Sequence, residues 1–508
     1  MTVIGIDLGT TNSAVATTAA NGVTTTIADR DGARIIPSVV YFAPDGGVVV
    51  GERAQSMAVL EPDRVAMHFK RGMGESTFLL DGSDFTVDGR SWRPEALSSM
   101  VLKKLKQMAE DQVGPVAGAV VTVPAYFGEL ERNATREAAE LAGLPILRIL
   151  NEPTAAAIAH GMDSGSRGST ILVFDLGGGT FDVTVMVVER DGEMRVLSTG
   201  GNHRLGGLDF DNAILQMIGD RARESTGVDI FAEAWTFQDA REKAEHLKKE
   251  LSTLQTATRP VSTGGRPLMF ALTRAEFEAA IGDTLEDVRD MIEITVDAAG
   301  LEADDIDTVL MVGGSSRIPA FSALLRDMFG KEPTFSGSLD EDVARGAAIL
   351  AARIGGQVDP RSELAELAIP KDIASHGLGV TVNDASGREV NGIVVRPGQG
   401  VPATGSETFY AASDGQTHVL LRINEGDEED LAFVRQIGDG TAHFGRPVPE
   451  GYPIRVDIAY TEEQIVEVHA YDGDTGRLIG EVRLERAGSM SGDEKRRAIA
   501  AITGTGVQ

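Results

Sequence analysis

Two stretches of this chain repeat one pattern, an apolar strand that ends in an aspartate and is followed by a turn of small residues. Residues 171–185 read ILVFDLGGGTFDVTV, with Asp175 at the strand end and Gly177–Gly179 in the turn. Residues 3–15 read VIGIDLGTTNSAV, with Asp7 in the same position. Apolar runs on either side of a glycine turn predict a β-hairpin. Two such hairpins predict two related halves of one fold that face each other.

The residue types in these turns suit a site for a cation and a phosphate. Glycines allow backbone N–H groups to approach phosphate oxygens, Thr180 adds a hydroxyl, and Asp175 can hold Mg²⁺ through water. For one such turn alone, a plain hairpin is a slightly better explanation. The repeat favours a nucleotide clamped between Asp7 and Asp175. The site is not a P-loop, because the pattern GxxxxGK[ST] does not occur in the chain.

Composition excludes several classes of function. The chain has 508 residues, 42% of them hydrophobic, which is enough for more than one domain. Its net charge of −30 argues against nucleic acid or an anionic membrane as the main partner. The absence of cysteine excludes disulfides and thiolate chemistry. The first strand begins at Val3 without a leader, and no long apolar span follows, so we expect a soluble, cytoplasmic protein.

The middle of the chain reads as alternating helices and strands. Helical spacing predicts helices over 95–112 and 130–142, and a buried strand lies between them at 119–123. A later apolar strand, Thr308–Val312, runs into the glycine turn 313–319. Ligands bind at such carboxyl ends of strands in α/β sheets.

Some polar residues are ambiguous on their own. Lys70 beside glycines could reach a phosphate, but a solvated loop lysine is the simpler interpretation. Asn151, Glu152 and Pro153 read as a strand end before an alanine-rich helix that we expect to start near Thr154. A helix-capping role therefore explains Glu152. Residues 239–253 form a charged helix, and its polar face is usually solvated.

The character of the sequence changes after residue 356. Residues 357–372 form an acidic connector with proline near both ends. Short alternating runs separated by turn signals occupy 373–487 and predict a β-sandwich. The tail, 488–508, is long enough for one short helix.

Taken together, eight stretches resemble one family, the heat-shock chaperones of the DnaK type (heat shock protein 70 family). These stretches are IGIDLGTTNS (4–13), FKRGMG (69–74), VVTVPAYFGELERNATREAAELAG (120–143), ILNEPTAAA (149–157), FDLGGGTFDV (174–183), LGGLDFD (205–211), AEHLKKELS (244–252) and VGGSSRIP (312–319). Their order and spacing agree with the family over residues 1–355, whereas the β-sandwich part resembles it only loosely.

The resemblance implies an α/β actin-like, two-lobed nucleotide-binding domain of the hexokinase, actin and heat-shock ATPase class, followed by a β-sandwich. It implies an ATPase domain over 1–356, a linker over 357–372, a peptide-binding-like sandwich over 373–487 and a tail over 488–508 in place of a helical lid. The implied cofactors are ATP or ADP and Mg²⁺, with K⁺ as a further cation.

The resemblance also implies roles for individual residues. Those implied for hydrolysis and Mg²⁺ are Asp7, Lys70, Glu152, Asp175, Thr180 and Asp182, with Asp7, Glu152 and Asp175 holding the metal through water. Those implied for nucleotide binding are Asp7, Gly9, Thr10, Thr11, Asn12, Gly177, Gly178, Gly179, Gly206, Gly207, Glu245, Lys248, Ser252, Gly313, Gly314, Ser315, Arg317 and Asp340. This reverses the simpler interpretation of Lys70 and of the charged helix.

Further residues are implied in communication and partner binding. Pro124 and Arg132 correspond to the relay that reports the nucleotide state to the linker, and Arg148 and Asn151 fall where a J-domain co-chaperone docks. The other implied partners are unfolded or extended peptides and a nucleotide-exchange factor, with no nucleic acid and no membrane. Candidate residues of the peptide groove are Val382, Phe409, Ala412, Val419 and Leu421, although ordinary sandwich core explains them equally well.

Three departures from the family pattern qualify these implications. The segment 363–370 keeps an apolar character but lacks the usual leucine run closed by an aspartate, so coupling between the domains is in doubt. The long helical lid is missing, and we therefore expect fast peptide exchange in both nucleotide states. The groove itself is poorly matched.

Besides an ATP-hydrolysing chaperone, three alternatives remain open at this point. One is an ATPase whose β-domain docks a single dedicated partner protein. The others are a small-molecule kinase on the same scaffold and a filament-forming, actin-like protein.

Overall fold

A computed structural model describes most of the chain as two α/β lobes and a β-sandwich. The described residues are 2–80, 82–164, 168–190, 193–265, 267–335, 337–359, 361–362, 364, 370–384, 386–461, 465–483, 490, 495–496 and 498–499. Most of the linker segment 363–370 and most of the tail 488–508, for which the sequence suggests a short helix, therefore lie outside the described residues.

The elements follow one another in three groups. The first group is β1 (Thr2–Leu8), β2 (Asn12–Thr18), β3 (Thr24–Thr26), β4 (Ile35–Pro37), β5 (Val39–Phe42), β6 (Val48–Val50), α1 (Glu52–Ser56), β7 (Val65–Met67), β8 (Leu79–Leu80), β9 (Ser83–Asp84), β10 (Thr86–Val87), β11 (Arg90–Ser91), α2 (Pro94–Val113), β12 (Val116–Val123), α3 (Glu129–Leu141), β13 (Ile146–Asn151) and α4 (Glu152–Ser164). The second is β14 (Ser169–Leu176), β15 (Phe181–Val188), β16 (Met194–Asn202), α5 (Gly207–Thr226), α6 (Ala234–Leu251), β17 (Thr256–Val261), β18 (Leu268–Thr273), α7 (Arg274–Ala280), α8 (Gly282–Ala298), β19 (Thr308–Val312), α9 (Pro319–Phe329), β20 (Thr334–Phe335) and α10 (Asp342–Ile354). The third is β21 (Leu378–Asn383), β22 (Glu389–Val395), β23 (Ala403–Tyr410), β24 (Gln416–Glu425), β25 (Arg435–Val448), β26 (Pro453–Tyr460), β27 (Val466–Asp472) and β28 (Leu478–Arg483).

The main sheets of the two lobes have the same topology. In the first lobe the order is β13-β12-β1-β2-β3, with β4 also paired to β2. In the second lobe it is β16-β15-β14-β19-β20. In both lobes an antiparallel hairpin, β1–β2 or β14–β15, is joined on the side of its first strand by a parallel strand, β12 or β19. The repeat predicted from the two aspartate hairpins is therefore confirmed as a duplicated fold.

Two small-residue helices, α4 and α10, pack closely together and bring the lobes near each other. A Cβ added to Gly346 of α10 would lie 1.8 Å from the carbonyl oxygen of Ala155 in α4. A Cβ added to Gly5 of β1 would lie 2.0 Å from the backbone nitrogen of Ala348 in α10. Only glycine allows such close backbone contact.

The third group of strands forms the predicted sandwich. Its sheets have the orders β22-β21-β24-β25 and β23-β26-β27-β28. Buried and more exposed residues alternate along β26, where Ile454, Val456 and Ile458 point inward. This period of two is expected for a strand with one face in the core. The fold class read from the sequence is confirmed, whereas the domain boundaries stay predictions.

Two helix boundaries differ from those predicted. Helix α4 begins at Glu152 rather than near Thr154. Proline is tolerated in the first turn of a helix, where no backbone N–H is needed, so Pro153 belongs to α4 and not to the strand end. The sequence also looks helical throughout 274–300, but the structure splits this stretch at Ile281 into α7 and α8.

Candidate active site

The turns of the two hairpins touch each other at the centre of the cleft between the lobes. A Cβ on Gly178 would lie 2.3 Å from Oγ1 of Thr11, and a Cβ on Gly179 would lie 2.5 Å from Cγ2 of Thr10. These distances leave no room for a side chain at Gly178 or Gly179 unless the threonines move. The prediction that the two turns face each other is confirmed.

Two further glycine turns complete this region. The N–H of Gly207, the first residue of the 20-residue helix α5, donates a hydrogen bond of 3.0 Å to the carbonyl of Gly177. Gly313 follows β19 with a φ of 81°, and a Cβ there would lie 2.6 Å from Oδ1 of Asp175. Glycine turns carry no side chains, so a phosphate can approach the backbone closely here.

Four carboxylates and one lysine converge beside these turns. Glu152, Asp175 and Asp182 are buried, and Asp7 is partly buried. The lysine is Lys70, which is only 3% exposed and whose Nζ lies 2.7 Å from Oε1 of Glu152. Lys70 is therefore not a solvated loop lysine, and Glu152 does more than cap a helix.

The surroundings of the aspartates raise their pKa values. Burial, followed by repulsion from Glu152, raises the pKa of Asp7 to about 7 and that of Asp182 to about 7. Burial raises the pKa of Asp175 well above its ordinary value, and Glu152, Asp182 and Asp7 add to the effect. A cluster of carboxylates in this condition gains stability when a cation neutralises it.

The second lobe supplies polar groups at the other end of the cleft. Nζ of Lys248 donates to the carbonyl of Gly207 at 2.8 Å and pairs with Asp211. Arg317 pairs with Asp340 at 2.8 Å. Lys248 is 8% exposed, so the face of α6 that carries it is not simply solvated.

Most of the nucleotide-site residues implied by the sequence line one cleft of about 1370 Å³. They are Asp7, Gly9, Thr10, Thr11, Asn12, Lys70, Glu152, Asp175, Gly177, Gly178, Thr180, Glu245, Lys248, Ser252, Gly313, Gly314, Ser315, Arg317 and Asp340. Four others lie in contact with this wall without lining the cleft: Gly179, Asp182, Gly206 and Gly207. Residues from both lobes and from both hairpins thus meet around one site.

Comparison with known proteins identifies the family of the chain that carries this site. The family model described as Hsp70 protein matches residues 3–502. The chain belongs to the Hsp70 family. It is 37% identical over 508 residues to the chaperone protein DnaK of Thermotoga petrophila, covering 98% of this chain and 82% of the relative. It is 38% identical over 485 residues to the chaperone protein DnaK of Thermosipho melanesiensis, covering 94% of this chain and 79% of the relative.

Membership in the Hsp70 family makes this chain an ATP-dependent chaperone, and members of the family bind and hydrolyse ATP. It also decides against the small-molecule kinase. Within the described residues, no helix is long and apolar enough to cross a membrane.

The carboxylates of this Hsp70-family cleft suit a hydrated metal ion. Within the described part of the chain, no group of three or more histidine, aspartate and glutamate residues is arranged to hold a metal ion on its own. Mg²⁺ keeps several of its waters and is bound by few carboxylates together with substrate phosphates. The burial and raised pKa values of Asp7 and Asp175 fit that kind of binding.

Sequence reasoning missed several groups that support the site. The backbone N–H of Tyr126 donates to Oδ1 of Asp182 at 2.9 Å, and Oγ1 of Thr122 donates to Oδ1 of Asp7 at 3.4 Å. A backbone donor leaves no signal in the side-chain pattern. Asp211, the partner of Lys248, lies within the glycine-turn motif LGGLDFD. Its short spacing from the turn is the sequence signal that could have identified it.

The two residues of the expected relay lie between the cleft and the sandwich. Pro124 directly follows β12. Arg132 is fully buried, and its guanidinium donates to the carbonyls of Phe127 at 2.9 Å and Ala125 at 3.3 Å and to Oδ1 of Asn151 at 2.8 Å. Arg132 therefore holds the strand-to-helix segment between β12 and α3 in shape.

The residues implied in J-domain docking differ in exposure. Arg148 is half-buried on β13, whereas Asn151 is 4% exposed and its amide donates to Oδ1 of Asp372 at 3.0 Å. Burial raises the pKa of Asp372, against the opposing effect of Arg132 and Arg148. Asp372, at the end of the linker, is thus a contact residue that the sequence did not reveal. The docking of a J-domain at Arg148 and Asn151 stays a prediction.

The candidate groove residues have mixed surroundings. Val382, Phe409 and Val419 are partly buried against the sandwich core, and Leu421 is 4% exposed within it. Ala412 is exposed. Leu421 fits ordinary core packing, and the assignment of the others to a peptide groove stays a prediction.

Proposed function

We propose that this Hsp70-family chaperone hydrolyses ATP with Mg²⁺ in the cleft and passes the state of that site to a sandwich that binds extended peptide. The observation that carries the proposal is the segment Pro124–Glu129. The N–H of Tyr126 contacts Asp182 beside the cleft, and its carbonyl contacts His376 in the segment leading into the sandwich. The N–H of Glu129 contacts Glu425 of the sandwich.

The residues of the cleft fit the needs of phosphoryl transfer, which are mainly positioning and charge stabilisation. Lys70 would position water against the terminal phosphate, and Thr10, Thr11 and Thr180 would contact phosphate oxygens. Asp7, Glu152 and Asp175 would hold Mg²⁺ through its waters. The metal would neutralise charge on the phosphates. Magnesium dependence and a role for K⁺ remain part of the proposal.

The coupling would run through Tyr126. Its N–H bonds to Asp182, while its carbonyl lies 3.1 Å from Nε2 of His376, in the segment leading into the sandwich. Oγ of the neighbouring Ser375 donates to the carbonyl of Ala125 at 2.8 Å. A shift of Asp182 on hydrolysis would therefore move a backbone to which the sandwich side is hydrogen bonded.

The sandwich also touches the start of α3 directly. The carboxylate of Glu425, at the end of β24, accepts the N–H of Glu129 at 3.0 Å. Leu130 packs into the sandwich core, and Arg435 forms an ion pair with Glu131. An acidic group at a helix N-terminus is stabilised by the unpaired N–H groups there.

The linker end contacts the second lobe as well. The N–H of Lys371 donates to the carbonyl of Met194 at 2.9 Å, and its carbonyl accepts the N–H of Val196 at 3.1 Å. Lys371 thereby pairs with β16, at the edge of the second lobe's sheet. These contacts support coupling despite the unusual linker sequence.

The partners follow from this arrangement. Extended apolar peptides would bind the sandwich by strand-like contacts, a J-domain co-chaperone would dock at Arg148, and a nucleotide-exchange factor would open the cleft. Fast peptide exchange and a cytoplasmic location stay predictions of the sequence.

The test is peptide-stimulated ATP hydrolysis by the full chain, with and without a J-domain protein, over a panel of unrelated extended peptides. We expect stimulation by several peptides and a further increase with the J-domain. Stimulation by one protein only would favour a dedicated docking domain. ATP hydrolysis that no peptide changes would contradict the coupling.

A further inference from the structure

The residues on both sides of Lys70 are tied across the cleft to the second lobe. Lys70 lies in a short 3₁₀ helix, Phe69–Gly72, of the first lobe. After it, Nε of Arg71 donates to the carbonyl of Gly179 at 2.9 Å. Before it, Nδ1 of His68 lies 2.9 Å from Nη2 of Arg241 in α6. Because arginine can only donate, His68 accepts this bond as a neutral ring.

Arg71 makes its stronger contact with a carboxylate of the second lobe. Its Nη2 lies 2.6 Å from Oδ2 of Asp209, and its Nη1 lies 3.4 Å from Oδ1. The Arg71 side chain is 22% exposed. A forked, charge-assisted pair of this kind fixes direction as well as distance.

Asp209 also supports the loop that would carry phosphate. Its Oδ2 accepts the N–H of Gly206 at 2.8 Å. The next N–H groups, of Gly207 and Leu208, donate to the carbonyls of Gly177 and Gly178 at 3.0 and 2.8 Å. Arg71 also binds the carbonyl of Gly179 in the glycine turn. One guanidinium therefore connects the Lys70 helix both to the turn itself and to Asp209, which holds the neighbouring loop.

His68 contributes to the same fixation. It has a φ of 59° and a ψ of 16°, a left-handed conformation that is uncommon outside glycine. The bond to Arg241 holds its ring against α6, and with it the start of the Lys70 helix.

We propose that Arg71 is a positioning residue for hydrolysis, which acts by holding Lys70 against the glycine turn while the lobes are closed, with His68 and Arg241 as a second tie. The inference rests on the proposed role of Lys70 in hydrolysis. Within the described residues, Arg71 is not part of the cleft wall, so its effect would pass through Lys70 rather than through direct contact with substrate.

The test compares single-turnover hydrolysis of bound ATP, and ATP affinity, in four full-length variants: Arg71→Ala, Arg71→Lys, Lys70→Ala and the double variant Lys70→Ala/Arg71→Ala. We expect Arg71→Ala to slow hydrolysis about 10- to 100-fold, in line with a misplacement of about 1 Å, with ATP affinity changed less than about threefold. Arg71→Lys should recover only part of the rate, because an ammonium cannot form the fork. The double variant should be no slower than Lys70→Ala alone.

A matched control and a second variant keep the inference open to refutation. Arg30→Ala removes an exposed pair with Asp111 in the same lobe and should leave the rate unchanged. If Arg71→Ala does not fold, Asp209→Asn weakens the pair while an amide oxygen still accepts from Gly206, and it should also slow hydrolysis. Additive losses in the double variant, or an unchanged rate in Arg71→Ala, would overturn the inference. An unchanged rate in Lys70→Ala would instead refute the proposed function.

Discussion

Lys70 shows how one side chain can be understood only from its surroundings. Its ammonium is buried beside Glu152 and lies 5.6 Å from the centre of the Phe127 ring. A buried cation is costly unless it is paired, and the carboxylate and the aromatic face supply that pairing. An ammonium held in this position is suited to stabilise charge that develops on a phosphate.

Replacing Lys70 with alanine should therefore remove hydrolysis and leave binding. We expect a loss of at least about a hundredfold in single-turnover rate, with ATP affinity within about threefold, because the glycine turns would still bind the phosphates. Single-turnover hydrolysis and equilibrium ATP binding measure the two effects separately. Weaker binding, with hydrolysis per bound ATP unchanged, would show that Lys70 has a different role.

The sequence revealed which residues make up the cleft better than it revealed their environment. Asp7, Asp175 and the glycines between strands carry a local pattern that repeats, so they could be found without a structure. Lys248 could not be read as buried, because its partner Asp211 lies on another helix. Burial depends on contacts between distant parts of the chain, which periodicity along one helix does not record.

At the level of elements, the decisive unit is the short segment between β12 and α3. Gly128, just before α3, has a φ of −82° and a ψ of −174°, which any residue can adopt. A Cβ there would lie 2.1 Å from Oε2 of Glu425. An alanine at this position would push the Glu425 carboxylate aside, so the close approach of the sandwich favours glycine here and the backbone conformation does not demand it.

Replacing Gly128 with alanine should therefore weaken the contact between the sandwich and the N-terminus of α3 while leaving the lobes folded. The added methyl group would displace the Glu425 carboxylate from the N-terminus of α3, a contact worth about 0.3–2 kcal/mol. We expect peptide to raise the rate of ATP hydrolysis by less than about twofold in this variant, with the basal rate little changed. Hydrogen exchange of the amide of Glu129 should become faster.

A surface glycine offers the matched control. A Cβ on Gly282 would meet nothing within 4 Å, so Gly282→Ala should behave like the wild type in both measurements. Full peptide stimulation in Gly128→Ala would show that the Glu425 contact does not carry the coupling.

The strands and helices themselves were largely predictable, whereas their joints were not. Alternation and glycine turns predicted both hairpins and the sandwich strands. The docking of Glu425 on α3 and of Lys371 on β16 left no pattern in the sequence, because each contact joins residues far apart in the chain. The sequence left coupling between the domains in doubt because the linker segment 363–370 lacks the family pattern. Asp372 lies outside that segment, and it contacts Asn151 of the first lobe.

At the scale of the whole molecule, we propose that the two similar lobes close on a nucleotide and that the sandwich responds to the closure. The segment Pro124–Glu129 is held at Tyr126, by Asp182 beside the cleft and by His376 on the sandwich side, and at Glu129, by Glu425. The state of the cleft should therefore set the position of the sandwich.

The most direct test measures the distance between the domains in different nucleotide states. The chain contains no cysteine, so Met269→Cys in the second lobe and Glu450→Cys in the sandwich, both at exposed positions, provide two specific sites for fluorescent labels. With ATP, we expect the energy transfer that corresponds to the sandwich in contact with α3, as in this structure. With ADP and a bound peptide, we expect the energy transfer to fall. Equal energy transfer with ATP, with ADP and with peptide, in protein that binds ATP, would contradict the account.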